Sequence, residues 1–87
     1  MEDVKLVGFD LEDANLKDAN LRNTCLGYVN LRNACLKGAD LTGAYLLKND
    51  LEGADLECTN LAGASLTGTN FKNTCLKNTN LRNTSLE

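Results

Sequence analysis

An all-β solenoid is the fold class that this 87-residue sequence predicts, on three observations. From Leu6 a leucine recurs at every fifth position to Leu86, with Phe71 the one replacement. A small or modest side chain stands two residues before most of those leucines, as at Ala14, Thr24, Ala39, Ala54 and Thr79. Gly, Asn or Asp stands two residues after the large apolar residue at thirteen of sixteen positions. No single regular element accepts this period. Five residues carry an α-helix about 140° past a full turn, which scatters the leucines around the cylinder. On one continuous strand an odd step sends successive leucines to opposite faces.

A chain that turns a corner once per pentad satisfies the pattern. In a short extended segment, residues two apart share a face, so the small residue and the leucine point inward and the Asp or Asn between them points out. The corner then falls on the next two residues. Its second position collects Gly, Asn and Asp because these tolerate φ > 0 at little steric cost. Tyr28, Lys48 and Cys58 are the exceptions there, and Gly27 is the one glycine outside that position. Corners repeated in one sense wind the chain into stacked coils about 4.8 Å apart, each needing neighbours to bury its core. Rungs of three sides and of four sides fit the spacing equally well.

The pentads Ala14-Asn15-Leu16, Ala39-Asp40-Leu41 and Ala54-Asp55-Leu56 resemble the pentapeptide-repeat family, whose pattern is A-(D/N)-L-X-X. The resemblance spans residues 4–87. It implies a right-handed quadrilateral parallel β-helix of about four coils; the length of 87 residues allows one domain, residues 1–87. At a twenty-residue step Glu12, Arg32, Glu52 and Lys72 stack with alternating sign, which agrees with four sides, whereas Lys17 over Lys37 does not. Asn49 falls on an inward position and is expected to bond the backbone of a neighbouring coil. Phe9 and Val29 enlarge the same position near the start, and Phe9 is expected to plug part of the N-terminal opening. Neither end has an obvious lid, so end-to-end self-association, or excision from a longer array, is expected.

Composition narrows the function classes. The chain has no His, nine Lys+Arg against twelve Asp+Glu, and a net charge of −3. The commonest general base and metal ligand is absent, and no strongly basic nucleic-acid surface exists. Ser65 and Ser85 lack a base, and the glycines follow the repeat instead of forming a phosphate loop. No catalytic residue, cofactor site or metal site is therefore assigned, and the protein is not expected to be an enzyme. Cys25, Cys35, Cys58 and Cys75 include no C-x-x-C pair and are read as free thiols. Cys35 and Cys75 share a column on a four-sided rung but lie two coils apart, too far to bridge. Asn83-Thr84-Ser85 matches a glycosylation acceptor and is taken as chance, because residues 1–8 show no signal-peptide core. A cytoplasmic protein that does not enter membranes is expected.

On four columns, Val7, Cys25, Tyr28, Tyr45 and Leu47 project outward from the side built on Leu6, Leu26, Leu46 and Leu66. Contiguous exposed apolar area marks partner sites, and Tyr is favoured at interface centres. The expected function is a non-enzymatic scaffold or protein-interaction module, with a protein partner or self-association through this face or the coil ends. The family resemblance implies an alternative, a DNA-mimicking inhibitor of a type II topoisomerase such as DNA gyrase. Stacked Asp10, Asp50, Glu12 and Glu52 suit it. Interleaved Arg32, Lys72, Lys77 and Arg82 break the negative stripe that mimicry needs.

Overall fold

One complete pentad, Ala39 to Gly43, shows how the sequence closes its own backbone accounts. Leu41 and Gly43 donate their N–H groups upward to the carbonyls of Asn60 and Ala62, at 2.7 and 2.9 Å. Asp40 donates downward to Ala19 at 2.9 Å, and Ala39 closes the preceding corner on the carbonyl of Leu36 at 2.9 Å. The remaining N–H, that of Thr42, goes to Oδ1 of Asp40 at 3.0 Å. Every donor of the pentad is thus answered, as buried or half-buried backbone requires.

These bonds are found in a computed structural model that describes residues 2–86. Parallel backbone pairing joins residues twenty apart, as Lys5 with Cys25, Cys25 with Tyr45 and Tyr45 with Ser65. With one corner per pentad, a rung therefore has four sides, and the three-sided alternative falls away. Corners lie at every fifth residue from Asp3 to Asn83, where φ runs between 52° and 75°. Tyr28, Lys48 and Cys58 adopt this left-handed backbone at 59°, 52° and 59°, although their side chains do not favour it.

Leucine stacks on leucine inside. Every leucine of the pentad series from Leu21 to Leu66 is almost wholly buried. Ala34, Ala39, Ala44, Ala54 and Ala64 fill the narrow corners between them. Inward threonines answer their own hydroxyls: Thr59 donates to the carbonyl of Leu36 at 2.6 Å, and Thr74 to that of Leu51 at 2.8 Å. In the last described coil Leu76, Leu81 and Leu86 are exposed.

Several expectations change. The Asp and Asn before each leucine do not simply face solvent. Their Oδ1 atoms turn back to accept the N–H two residues on, as Asp10 does for Glu12 at 3.1 Å and Asn60 for Ala62 at 3.0 Å. This is the Asx turn, a local bond that these short side chains make readily. Phe9 is about half exposed (51%) instead of plugging the opening. Its column elsewhere takes Val29, Asn49 and Thr69, all much smaller than a phenyl ring. Of the alternating charges, Arg32 reaches Glu52 at 3.6 Å and also Asp50 at 3.7 Å. Glu12 instead accepts from Asn30 Nδ2 at 3.4 Å. Lys37, expected to stack unfavourably over Lys17, pairs on its other side with Glu57 at 3.5 Å. That carboxylate raises the Lys37 pKa above its ordinary value.

Candidate interaction face

The side built on Leu6, Leu26, Leu46 and Leu66 comprises residues 4–8, 24–28, 44–48 and 64–68. Successive rungs of it are tied by the bonds of Leu26 N–H to Tyr45 O at 2.7 Å and Tyr28 N–H to Leu47 O at 2.8 Å. The proposed residues come together as the columns require. Val7, Tyr28 and Tyr45 are exposed by 55%, 59% and 57%, while Cys25 and Leu47 are half-buried at their feet.

Two residues of the face were not singled out from the sequence. Gly27 lies at its centre, between Cys25 and Tyr28 along the chain. Across the rungs it sits between Val7 and Leu47, because Gly8 N–H bonds Gly27 O and Tyr28 N–H bonds Leu47 O. Nothing stands within 4 Å of where a Cβ on Gly27 would lie, and its φ is not left-handed. A side chain here would fit both space and backbone, so the glycine leaves a notch between the flanking apolar groups. The signal was already in the sequence as the single glycine out of step with the corners. Lys48 is the second residue. Its ammonium lies over the Tyr28 ring at 5.9 Å from the centroid, a cation–π arrangement that settles both exposed side chains.

The corner at Tyr28 is built differently from its neighbours. At most corners the residue after the left-handed position closes on the leucine carbonyl three residues back, as Ala34 does on Leu31 at 3.1 Å, though Asn49 makes no such bond to Leu46. Val29 instead gives its N–H to Oδ1 of buried Asn49 at 2.9 Å. Asn49 thus bonds a neighbouring coil as expected, while its Nδ2 has no partner among the described residues. The two strained corners of this side, Tyr28 and Lys48, are consecutive in one column. Strain of this kind persists where the surrounding structure over-determines it, and it concentrates at functional places.

Cys25 and Cys35 are half-buried and Cys58 and Cys75 exposed, all four as free thiols. Asp55 stands between Cys35 and Cys75 in their column.

Comparison with known proteins agrees with this geometry. The family model for pentapeptide repeats matches eight copies, over residues 1–27, 25–57 and 50–83. A pentapeptide repeat protein from the Arabidopsis thaliana thylakoid lumen superposes with a TM-score of 0.92 at 29% identity, over 97% of this chain and 59% of that one. Rfr23 from the cyanobacterium Cyanothece gives 0.64 at 38% identity, over 100% of this chain and 63% of its own. A pentapeptide repeat protein from Nostoc gives 0.70 at 38%, over 90% and 60%. The chain therefore spans about three fifths of the length of these solved structures. No curated protein matches it. Proteins of this kind form right-handed quadrilateral β-helices, the architecture of the twenty-residue rungs described above. With repeats matched along nearly its whole length, the chain belongs to the pentapeptide repeat family.

Proposed function

We propose that this chain is a non-enzymatic β-helical scaffold of about four coils, and that it binds a protein partner through the side centred on Gly27. The observation that carries this reading is the open notch at Gly27, ringed by Val7, Cys25, Tyr28, Tyr45 and Leu47. A glycine that neither backbone conformation nor crowding requires is best accounted for by something that approaches from outside. Two exposed tyrosines beside it supply the rigid, amphipathic area that interfaces favour.

Replacing Gly27 by Leu tests the reading. The fold is expected to survive, since nothing obstructs the new side chain, and partner capture from a cytoplasmic extract is expected to fail. The triple variant Tyr28→Ser, Tyr45→Ser, Leu47→Ser should behave alike. Capture unchanged by both substitutions rejects the face.

Mimicry of DNA toward a topoisomerase has less support. Arg32 sits against Asp50 and Glu52, and Lys37 against Glu57, so the acidic columns are partly neutralised. Self-association through the coils has one supporting feature. Residues 1–20 carry six acidic and two basic side chains, whereas residues 67–86 carry three basic and no acidic ones. Head-to-tail stacking would set these opposite charges together. It predicts sedimentation that rises with concentration and falls back with added salt; a salt-independent monomer removes it.

A further inference from the structure

The first side differs from the others in its backbone as well as its side chains, and the difference names the chemistry of the partner. On the sides built on Leu11 and Leu21, an Asp or Asn before each leucine or phenylalanine answers the corner N–H in all eight pentads. On the side built on Leu16, Asn15 and Asp55 make the turn while Cys35 and Cys75 do not; on the first side the corresponding residues are Lys5, Cys25, Tyr45 and Ser65, none of which makes it. The N–H groups of Val7, Gly27, Leu47 and Thr67 consequently have no acceptor among the described residues. They form one column of donors, spaced by one rung, about 4.8 Å. At Gly27 no side chain stands beside the donor, and nothing lies within 4 Å of where a Cβ would be.

The charge of this side matches its donors. Among the described residues it carries Lys5 and Lys48 and no acidic group, although the chain as a whole has twelve Asp+Glu. A column of open backbone N–H groups beside an ammonium favours anions, and a carboxylate accepts from such donors more strongly than a neutral carbonyl does. One side wholly uncapped, basic and apolar, set among sides capped in whole or in part, is therefore a recognition pattern.

We infer that the partner presents an acidic segment of protein. Its carboxylates accept the open N–H groups around Gly27 and Leu47, and its apolar side chains lie on Tyr28 and Tyr45. The inference rests on the interaction-face reading and specifies what that face takes.

Nuclear magnetic resonance titration of the nitrogen-15-labelled 87-residue chain with a blocked eight-residue peptide of alternating Asp and Leu tests it. Saturable shifts concentrated at the amides of Gly27 and Leu47 are expected, weakened at least tenfold when Asn replaces Asp in the peptide. The variant Cys25→Asn with Ser65→Asn installs two of the four missing turns, at Gly27 and Thr67, while sparing both tyrosines. It should bind at least tenfold more weakly than wild type and melt no lower, whereas Cys75→Asn, which installs the same turn on another side, should bind as wild type. Amides unmoved at millimolar peptide overturn the inference. So do shifts spread equally over capped amides such as Glu12 and Ala62, or binding indifferent to the installed turns. Stronger binding at the same amides by a short DNA duplex also overturns it, in favour of a phosphate backbone. If capture still depends on Gly27 while these amides stay silent, the partner chemistry fails and the face stands.

Discussion

Asp18 leans across one rung so that its Oδ1 occupies the space a side chain on Gly38 would need. Asn23 does the same to Gly43, and Asn33 to Gly53. Glycine at these corners thus answers two demands, a left-handed backbone and a carboxylate or amide from the coil before. Gly63 has the same backbone, φ 69° against 72°, with nothing within 4 Å.

Gly38→Ala and Gly63→Ala separate the two demands. Both are expected to lose about 1 kcal/mol to the left-handed φ. Gly38→Ala should lose a further ~0.5–1 kcal/mol as Asp18 is pushed off its rotamer. Chemical denaturation of both, and of Gly38→Ala with Asp18→Ala, checks this: the excess should vanish in the double variant.

Cys58 holds φ 59° with a side chain that gains nothing visible from it, and it is exposed. Cys58→Asn should stabilise by about 1 kcal/mol, because Asn tolerates this conformation better. The midpoint of thermal unfolding is then expected to rise by roughly 4–8 °C for a domain of this size. Tyr28→Asn should gain less, since it also gives up the contact with Lys48.

Asn49 places an amide in the core with only its oxygen answered. Asn49→Ala should change stability by no more than about 1 kcal/mol, because the Val29 N–H is free to close on Leu26 as other corners do and the orphaned Nδ2 is removed. Asn49→Asp should destabilise by about 2 kcal/mol or more at pH 7, where a charge is buried. A buried carboxyl is held above its ordinary pKa, so this penalty fades as pH falls toward about 4. Urea titrations at pH 7 and pH 4 distinguish the two variants.

Asp40 accepts both the hydroxyl and the N–H of Thr42 on Oδ1. The hydroxyl bond chiefly, helped by the N–H and by Arg22, holds its carboxyl below the ordinary range despite an opposing cost of burial. A depressed carboxyl contributes stability above its unfolded value near pH 4, and that contribution is lost as pH falls through the lower folded value. Thr42→Ala should raise the Asp40 pKa toward normal and move acid unfolding to higher pH, as followed by carboxyl-carbon resonances and circular dichroism.

Much of this was legible in the residues themselves. Leu21, Leu31 and Leu41 had to be interior because no other arrangement hides a five-residue period, and Gly38 and Asn73 had to be corners because of what φ > 0 demands. The candidate face was legible in part: Tyr28 and Tyr45 emerge once residues are written in twenties. Its centre was not, because Gly27 shows only as an irregularity until Val7 and Leu47 are placed on either side of it. The Asx turns were also missed, since an Asp between two inward residues reads as solvent-facing until its own backbone is seen to fold back.

Local chemistry, then, decided what each pentad does: which side chain goes in, where the chain bends, and that the interior is aliphatic. The number of sides was decided only by the closed structure, because steric preference within five residues is indifferent to how many bends make a circuit. Pairing does choose, since Leu26 N–H meets Tyr45 O, nineteen residues on, only when four sides complete the rung. From that one distance follow the neighbours every surface residue has, and hence the unbroken column of unanswered donors that sets one side of this protein apart.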